Sequence, residues 1–152
     1  MTIGSIISPD RVEVGLRVAD KTQLLQELAA RAAVALGLDR HAIFAVLQGR
    51  EDLGSTGLGK GFALPHARLN NLAAPFALFV RLARPIDYAA IDERPVDLVI
   101  LLLSPADDND HLATLAALSR PLRDEDFMRR LRRAPDRTAL HRLLVGARSL
   151  PR

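Results

Sequence analysis

The 152-residue sequence contains no cysteine. Disulfides, thiolate chemistry and cysteine-based zinc sites are therefore excluded, and the composition agrees with a reducing compartment. The longest apolar run, residues 98–103, is far too short to cross a bilayer. The first residues show no basic stretch followed by an apolar one, so we expect no signal peptide. Together these features predict a soluble, cytoplasmic protein without direct membrane insertion.

Aromatic residues are also scarce, at 4% of the chain, and this bears on its basic region. Residues 1–119 carry 11 basic and 14 acidic side chains, whereas residues 120–152 carry ten arginines and four acids. Such a basic region raises the possibility of nucleic-acid binding. However, Phe127 is the only aromatic residue after position 119, and single-strand binding depends on aromatic stacking. An amphipathic helix with a solvated arginine face is the simpler interpretation, so we expect no nucleic-acid partner.

Hydrophobic spacing predicts an α/β protein. The length fits one domain over residues 1–152, with 49% hydrophobic and 26% charged residues. The run VDLVILLLS at residues 96–104 is almost continuously aliphatic, as in strands covered by helices on both faces. The predicted elements are extended segments at 3–7 and 12–18, helices between Asp20 and Gly37 and over 40–50, strands at 62–64, 75–83 and 96–104, a helix from about 110 to Pro121, and helices over 124–133 and 136–146.

The stretch GSTGLGKGFALPHARL, residues 54–69, resembles a nucleotide-binding P-loop in its first half. A P-loop follows a strand, precedes a helix and carries Ser or Thr after its lysine. Here a predicted helix precedes the loop, a predicted strand follows it, and Gly61 stands in the hydroxyl position. The nucleotide interpretation is therefore disfavoured.

The same loop nevertheless has features of an anion site. Four glycines in eight residues permit close backbone approach, and successive amides can form a concavity for an anion. Ser55 and Thr56 add hydroxyl donors, and Arg50, at the end of the preceding helix, offers a planar fork suited to phosphate oxygens. We expect an anion that arrives and leaves without magnesium.

The four histidines, at positions 41, 66, 111 and 141, show no i,i+3 or i,i+4 pairing, so no metal site or cofactor is predicted. His41 and His141 lie among charged residues in predicted helices and are interpreted as solvated or partly packed. His66 follows Pro65 at the end of a short strand, where functional side chains often emerge. It is either a nucleophile toward a phosphoryl group or a surface histidine at a strand end.

His111 lies near the start of the helix that follows the longest strand. The positive end of that helix disfavours a charged imidazole, whereas the neighbouring aspartates favour one, so the sequence does not decide its pKa. A second imidazole near His66 would be suited to bind a phosphoryl oxygen. The alternative is an ordinary helix-start side chain in an acidic turn.

These residues resemble a known family. Arg50-Glu51 followed by GSTGLGKGFALPHARL, then PIDYAAIDERPVDLVILLLSP and DNDHLATLAALSRPLRDEDFMRRL, is similar to the EIIA domains of the mannitol/fructose class of the bacterial phosphotransferase system. The resemblance covers residues 5–146 and is nearest to the nitrogen-regulatory (EIIA-Ntr) branch. It implies a single domain with a mixed five-stranded sheet and helices on both faces.

The resemblance also implies a function. His66 would accept a phosphoryl group from a phosphohistidine on HPr or its nitrogen-branch paralogue. Arg50 and His111 would stabilise the phosphoryl oxygens, and the pocket would be shaped by Glu51, Ser55, Thr56 and Gly57. The phosphorylation state would then regulate target proteins in nitrogen, potassium or stress signalling. The alternative is a sugar-transport subunit that passes the phosphoryl group to a separate EIIB.

Two residues depart from the family pattern. Ala67 stands where the family often has glycine, and we expect only a small local change if the chain is extended there. Pro121 interrupts a helix that is often continuous, which leaves the helix boundaries after His111 open.

Overall fold

Helices and strands follow one another along residues 2–147, which are the residues described by a computed structural model. The helices are Ile3–Ile6 (α1), Lys21–Leu36 (α2), Arg40–Asp52 (α3), His111–Ser119 (α4), Glu125–Arg133 (α5) and Arg137–Gly146 (α6). The strands are Val12–Leu16 (β1), Gly57–Gly59 (β2), Phe62–Ala63 (β3), His66–Leu69 (β4), Phe76–Ile86 (β5) and Val96–Pro105 (β6). Met1 and residues 148–152 lie outside the described residues. The predicted single domain over residues 1–152 and the arginine count of residues 120–152 therefore extend beyond the part of the chain that the structure describes.

All six strands of the described chain form one mixed sheet with the order β1-β5-β6-β3-β2, and β4 also pairs with β6. β3 and β4 both run parallel to β6, since Phe62 is opposite Leu98 and His66 is opposite Leu102. They therefore lie end to end in one position of the sheet, separated at Leu64 and Pro65, where proline has no N–H for the ladder. Six strand segments thus occupy five positions, and the predicted mixed sheet with helices on both faces is confirmed.

The sheet separates two apolar clusters. One lies beneath α2 and α3 and the other beneath α1, α4, α5 and α6. Strand β6 contributes to both, with Val99 and Leu101 on one face and Leu98 and Ile100 on the other, all fully buried. The continuous aliphatic run predicted this burial on both faces.

Capping residues mark both predicted ends of α2. Asp20 accepts a hydrogen bond from the Gln23 amide at 2.8 Å at the start of α2, and Gly37 ends that helix with a φ of 68°. The prediction for residues 3–7 was wrong, because Ile3–Ile6 is a short helix. Thr2 and Ser5 form a reciprocal capping box there, which the apolar pattern did not reveal.

The two departures from the family pattern have local effects. Ala67 is a buried residue of β4 and is not among the non-glycine residues with positive φ, so its methyl group introduces no backbone strain. Before Pro121, α4 ends at Ser119, and a 3-10 turn covers Arg120–Arg123. Proline removes one helical donor, and the chain therefore tightens into this turn before α5.

No helix within residues 2–147 has both the length and the apolar character that a membrane crossing requires.

Candidate functional site

The site lies where β4 begins and where α4 follows β6. Alternation along the chain puts Leu64, His66 and Arg68 on one face of the sheet, and Leu64 belongs to the apolar cluster beneath α4. His111 is the first residue of α4 and reaches the same face. The ring centroids of His66 and His111 are 5.7 Å apart, with the planes tilted by 48°. The fold therefore brings together the two histidines that the sequence singled out.

His66 has a defined tautomer. Its Nδ1 lies 2.7 Å from the backbone carbonyl oxygen of Leu64. A carbonyl oxygen can only accept, so Nδ1 carries the proton and the neutral ring has its lone pair on Nε2. Burial lowers the pKa of His66, and the positive charge of Arg50 lowers it further. The ring is therefore neutral at pH 7, with a nucleophilic Nε2.

His111 is buried, and its Nδ1 lies 2.7 Å from the hydroxyl oxygen of Ser104 on β6. Burial lowers the pKa of His111, the positive charge of Arg68 acts in the same direction, and Asp108 opposes them. Ser104 and Arg68 were not among the predicted site residues. The position of Arg68, two residues after His66 on the same strand, was the available signal that its charge lies on the same face as the histidines.

Arg50 lies in the last turn of α3 and bonds the glycine-rich loop. One of its Nη1 hydrogens is donated to the carbonyl oxygen of Gly54 at 2.9 Å. The guanidinium group has further donors that can serve an anion beside His66. The structure thus places the charge of Arg50 close enough to act on His66, and its binding of phosphoryl oxygens stays a prediction.

Glu51 and Thr56 form a buried network behind the loop. The Glu51 carboxylate accepts hydrogen bonds from the Thr56 amide at 2.8 Å and from the Thr56 hydroxyl at 2.6 Å. It also pairs with the Lys21 ammonium at 2.7 Å, and the Tyr88 hydroxyl lies 2.9 Å from that of Thr56. Sequence analysis placed Glu51 and Thr56 in the pocket but missed Lys21 and Tyr88.

The loop amides do not form the open concavity expected from the glycines. The amide of Gly54 bonds the carbonyl oxygen of Glu51, that of Thr56 bonds the Glu51 carboxylate, and that of Gly57 bonds the Ser55 hydroxyl at 3.1 Å. These donors hold the loop itself. Three of the four amides of residues 54–57 are therefore used within the loop, and the side chains of Arg50 and His111 stand beside it as further candidate donors.

Gly57 allows the loop to pack closely against Ala90. A Cβ atom there would lie 2.7 Å from the Cβ atom of Ala90 and 2.8 Å from its Cα atom. The segment that follows β5 therefore rests directly on the loop. Ser55 adds a bond from its hydroxyl to the carbonyl oxygen of Tyr88 at 3.4 Å.

The other two histidines and the arginines of α5 have surroundings of their own. His41 is exposed, and His141 packs with its Nε2 2.9 Å from the carbonyl oxygen of Ile7. On α5, Arg129 pairs with Asp126 and Arg132 pairs with Asp97. Within residues 2–147, no group of three histidine or acidic side chains is arranged to hold a metal ion.

Solved structures define the class of protein. The nitrogen regulatory protein IIA-Ntr from Neisseria meningitidis matches with a TM-score of 0.87 and 28% identity, over 93% of this chain and 98% of that chain. Mannitol IIA of Escherichia coli, in its complex with phosphorylated IIB, shares the fold with a TM-score of 0.78 at 18% identity, over 92% and 97% of the two chains. The fold is that of phosphotransferase-system IIA domains.

The sequence gives the family. Residues 5–146 match the EIIA 2 family of the phosphoenolpyruvate-dependent sugar phosphotransferase system, and the chain belongs to this family. A protein named nitrogen regulatory protein from Bradyrhizobium diazoefficiens is 46% identical over 146 residues, which cover 95% of each chain. The resemblance to the nitrogen-regulatory branch, inferred from the sequence, is confirmed.

Proposed function

We propose that this phosphotransferase-system protein is a regulatory phosphocarrier that accepts the phosphoryl group on Nε2 of His66. The observation that carries the proposal is the bond between His66 Nδ1 and the Leu64 carbonyl oxygen, 2.7 Å long. It fixes the ring with Nε2 unprotonated, and the low pKa of His66 keeps it so at pH 7. Family membership supplies the reaction class.

With a phosphohistidine donor, one N–P bond forms as another breaks. The Nε2 lone pair attacks phosphorus and forms the new N–P bond, while the N–P bond of the donor breaks and its electron pair returns to the donor nitrogen. If the donor ring is protonated on its other nitrogen, it leaves as a neutral imidazole. His66 retains its Nδ1 proton, and the Leu64 carbonyl oxygen stabilises the positive charge of the phosphorylated ring.

Arg50 and His111 are suited to bind the equatorial phosphoryl oxygens. Both lie beside His66, and preorganised donors in a partly desolvated site stabilise the transition state without reorganisation. Glu51, Ser55, Thr56 and Gly57 shape the pocket by holding the loop rather than by contacting the phosphoryl group.

The surroundings suit a protein donor. Leu53 follows the helix that carries Arg50 and is 85% exposed, and Leu112 follows His111 and is 78% exposed. Exposed leucines beside a transfer site offer apolar contact to a docking carrier of the HPr type. The 46% identity to a nitrogen regulatory protein favours regulatory targets downstream. The complex of mannitol IIA with phosphorylated IIB supports the alternative, transfer to a separate EIIB.

The test is intact-mass analysis after mixing with phosphorylated HPr-type carriers. Wild type and His111→Ala should each gain one acid-labile phosphoryl group, more slowly in His111→Ala, and His66→Ala should gain none. Arg50→Ala should slow transfer and leave the fold intact. A separate EIIB added afterwards distinguishes the two downstream roles.

Transfer to His66→Ala at the wild-type rate would refute the site. Absence of transfer to wild type from any HPr-type carrier would refute the phosphocarrier proposal. Rapid loss of the phosphoryl group to an EIIB would favour the sugar-transport alternative. The cytoplasmic location expected from the sequence stays a prediction.

A further inference from the structure

We propose that Lys21 and Tyr88 are positioning residues for phosphoryl transfer, acting through Glu51 and Thr56 on the loop that borders His66. The proposal rests on the phosphocarrier function above. Neither side chain touches His66, and their effect passes through contacts that link α2, α3, the glycine-rich loop and the segment after β5.

Glu51 is the centre of the network. One carboxylate oxygen, Oε2, accepts from Lys21 Nζ at 2.7 Å and from the Thr56 amide at 2.8 Å. The other, Oε1, accepts from the Thr56 hydroxyl at 2.6 Å and lies 3.3 Å from the Tyr88 hydroxyl. Thr56 is thus held at both its backbone and its side chain, which fixes the loop next to Arg50.

Lys21 keeps this carboxylate charged. Burial by itself raises the pKa of Glu51, but the hydrogen bonds from Lys21 and Thr56 together outweigh it, and the pKa is lowered. The Glu51 side chain is only 2% exposed, against 23% for Lys21. The ammonium group also lies 4.5 Å from the centre of the Tyr88 ring, a cation–π contact that orients it.

Tyr88 contacts the network through Thr56 and Glu51. Its ring is fully buried, and burial together with the negative charge of Glu51 raises the pKa of its hydroxyl, so the group remains a neutral donor. Its hydroxyl donates to Thr56 Oγ1 at 2.9 Å while Thr56 donates to Glu51. The backbone carbonyl oxygen of Tyr88 also accepts a hydrogen bond from the Ser55 hydroxyl.

Stability alone does not account for this arrangement. A buried ion pair usually stabilises a fold no better than apolar side chains of the same size, because desolvation offsets the attraction. The position of the network, next to Arg50, is informative instead. Glu51 directly follows Arg50, and Arg50 bonds Gly54 two residues before Thr56. The network therefore determines where the guanidinium group lies relative to His66.

Single-turnover kinetics with a phosphorylated HPr-type carrier provide the first test. In Tyr88→Phe and Lys21→Met, the maximal transfer rate should fall by about tenfold or more, because small displacements of positioned groups slow transfer steeply. The half-saturating carrier concentration should stay within about twofold of wild type. Lys21→Arg should recover part of the rate. Arg129→Met, which removes one cation from a surface ion pair on α5, is the matched control and should transfer normally.

Amide hydrogen exchange provides a second readout that does not depend on phosphoryl transfer. The Thr56 amide should exchange at least about tenfold faster in Lys21→Met than in wild type, while the Met128 amide of α5 should not change. Unchanged Thr56 exchange would overturn the proposal, as would wild-type maximal rates in folded Lys21→Met and Tyr88→Phe. Failure of wild type to accept a phosphoryl group would instead refute the proposed function, and the proposed role in transfer with it. The exchange data would then still decide whether the network holds the loop.

Discussion

Nδ1 of His66 donates a hydrogen bond to the carbonyl oxygen of Leu64 across 2.7 Å. Because this nitrogen is occupied, the phosphoryl group should attach to Nε2. Nitrogen-15 NMR of the phosphorylated, histidine-labelled protein distinguishes the two positions through the coupling of phosphorus to one ring nitrogen. A phosphoryl group on Nδ1 would show that the ring turns before it reacts.

The rate of phosphoryl acceptance should depend on pH through His66. Burial lowers its pKa below the usual 6.5, and only the neutral ring is nucleophilic. The rate should therefore be level around pH 7 and above, and should fall as the pH drops through that lowered value. An NMR titration of the His66 ring should give the same midpoint as the rate profile.

Arg50→Ala provides the control for this pH dependence. The positive charge of Arg50 lowers the pKa of His66, so its removal should shift the acidic limb of the profile to higher pH. This shift is separate from the overall loss of rate. An unshifted limb would mean that Arg50 does not act on the His66 charge.

Gly57→Ala should destabilise the protein and slow transfer. The new Cβ atom would lie within 2.8 Å of the Ala90 backbone, so the loop must move. We expect a loss of about 1–3 kcal/mol in the free energy of unfolding, measured by urea denaturation. Gly49→Ala in α3 meets no atom within 4 Å, and it should stabilise by about 0.5–1 kcal/mol. Equal effects of the two substitutions would contradict the packing described for Gly57.

Thr56→Val tests the buried hydroxyl at nearly constant volume. It removes the 2.6 Å bond to Glu51 and leaves part of the carboxylate without a donor. Such a loss costs about 1–3 kcal/mol of stability. Thr138→Val, at an exposed position in α6, should change stability by less than about 0.5 kcal/mol. A similar small change in Thr56→Val would mean that another donor, either water or the Tyr88 hydroxyl 3.3 Å from the same carboxylate oxygen, replaces the missing one.

The arginines of α5 should not confer nucleic-acid binding. Arg132 is engaged by Asp97, and Arg129 by Asp126, so part of the basic charge is neutralised within the protein. Fluorescence anisotropy with labelled single- and double-stranded DNA at about 50 mM salt should detect no binding that weakens steeply with added salt. Salt-dependent binding lost in Arg130→Ala/Arg133→Ala would revive the nucleic-acid alternative.

Much of the fold could be predicted from local patterns. The aliphatic run of β6 predicted a strand covered on both faces, and Asp20 and Gly37 marked the ends of α2. These signals are local because capping and burial leave their mark on neighbouring residues. The division of one strand position into β3 and β4 was not predicted, because it depends on pairing with β6.

The site was predictable only in part. His66 and His111 stood out by their places at a strand end and a helix start, but their proximity depends on how β4 pairs with β6. Lys21 and Tyr88 were missed because each is far in sequence from Glu51. A compositional signal did exist, since the chain contains two lysines against nineteen arginines, and a single tyrosine. A lysine in so arginine-rich a chain suggests a place that needs a compact charge.

All the side chains described at the site come from the segment between Lys21 and His111, and α5 and α6 contribute none of them. The absence of cysteine makes this division useful in practice. A cysteine introduced at the exposed Arg142 of α6 would be the single thiol of the 152 residues, open to one fluorophore by maleimide coupling. A dye there would follow the binding of carriers and targets in real time while leaving the chemistry at His66 untouched.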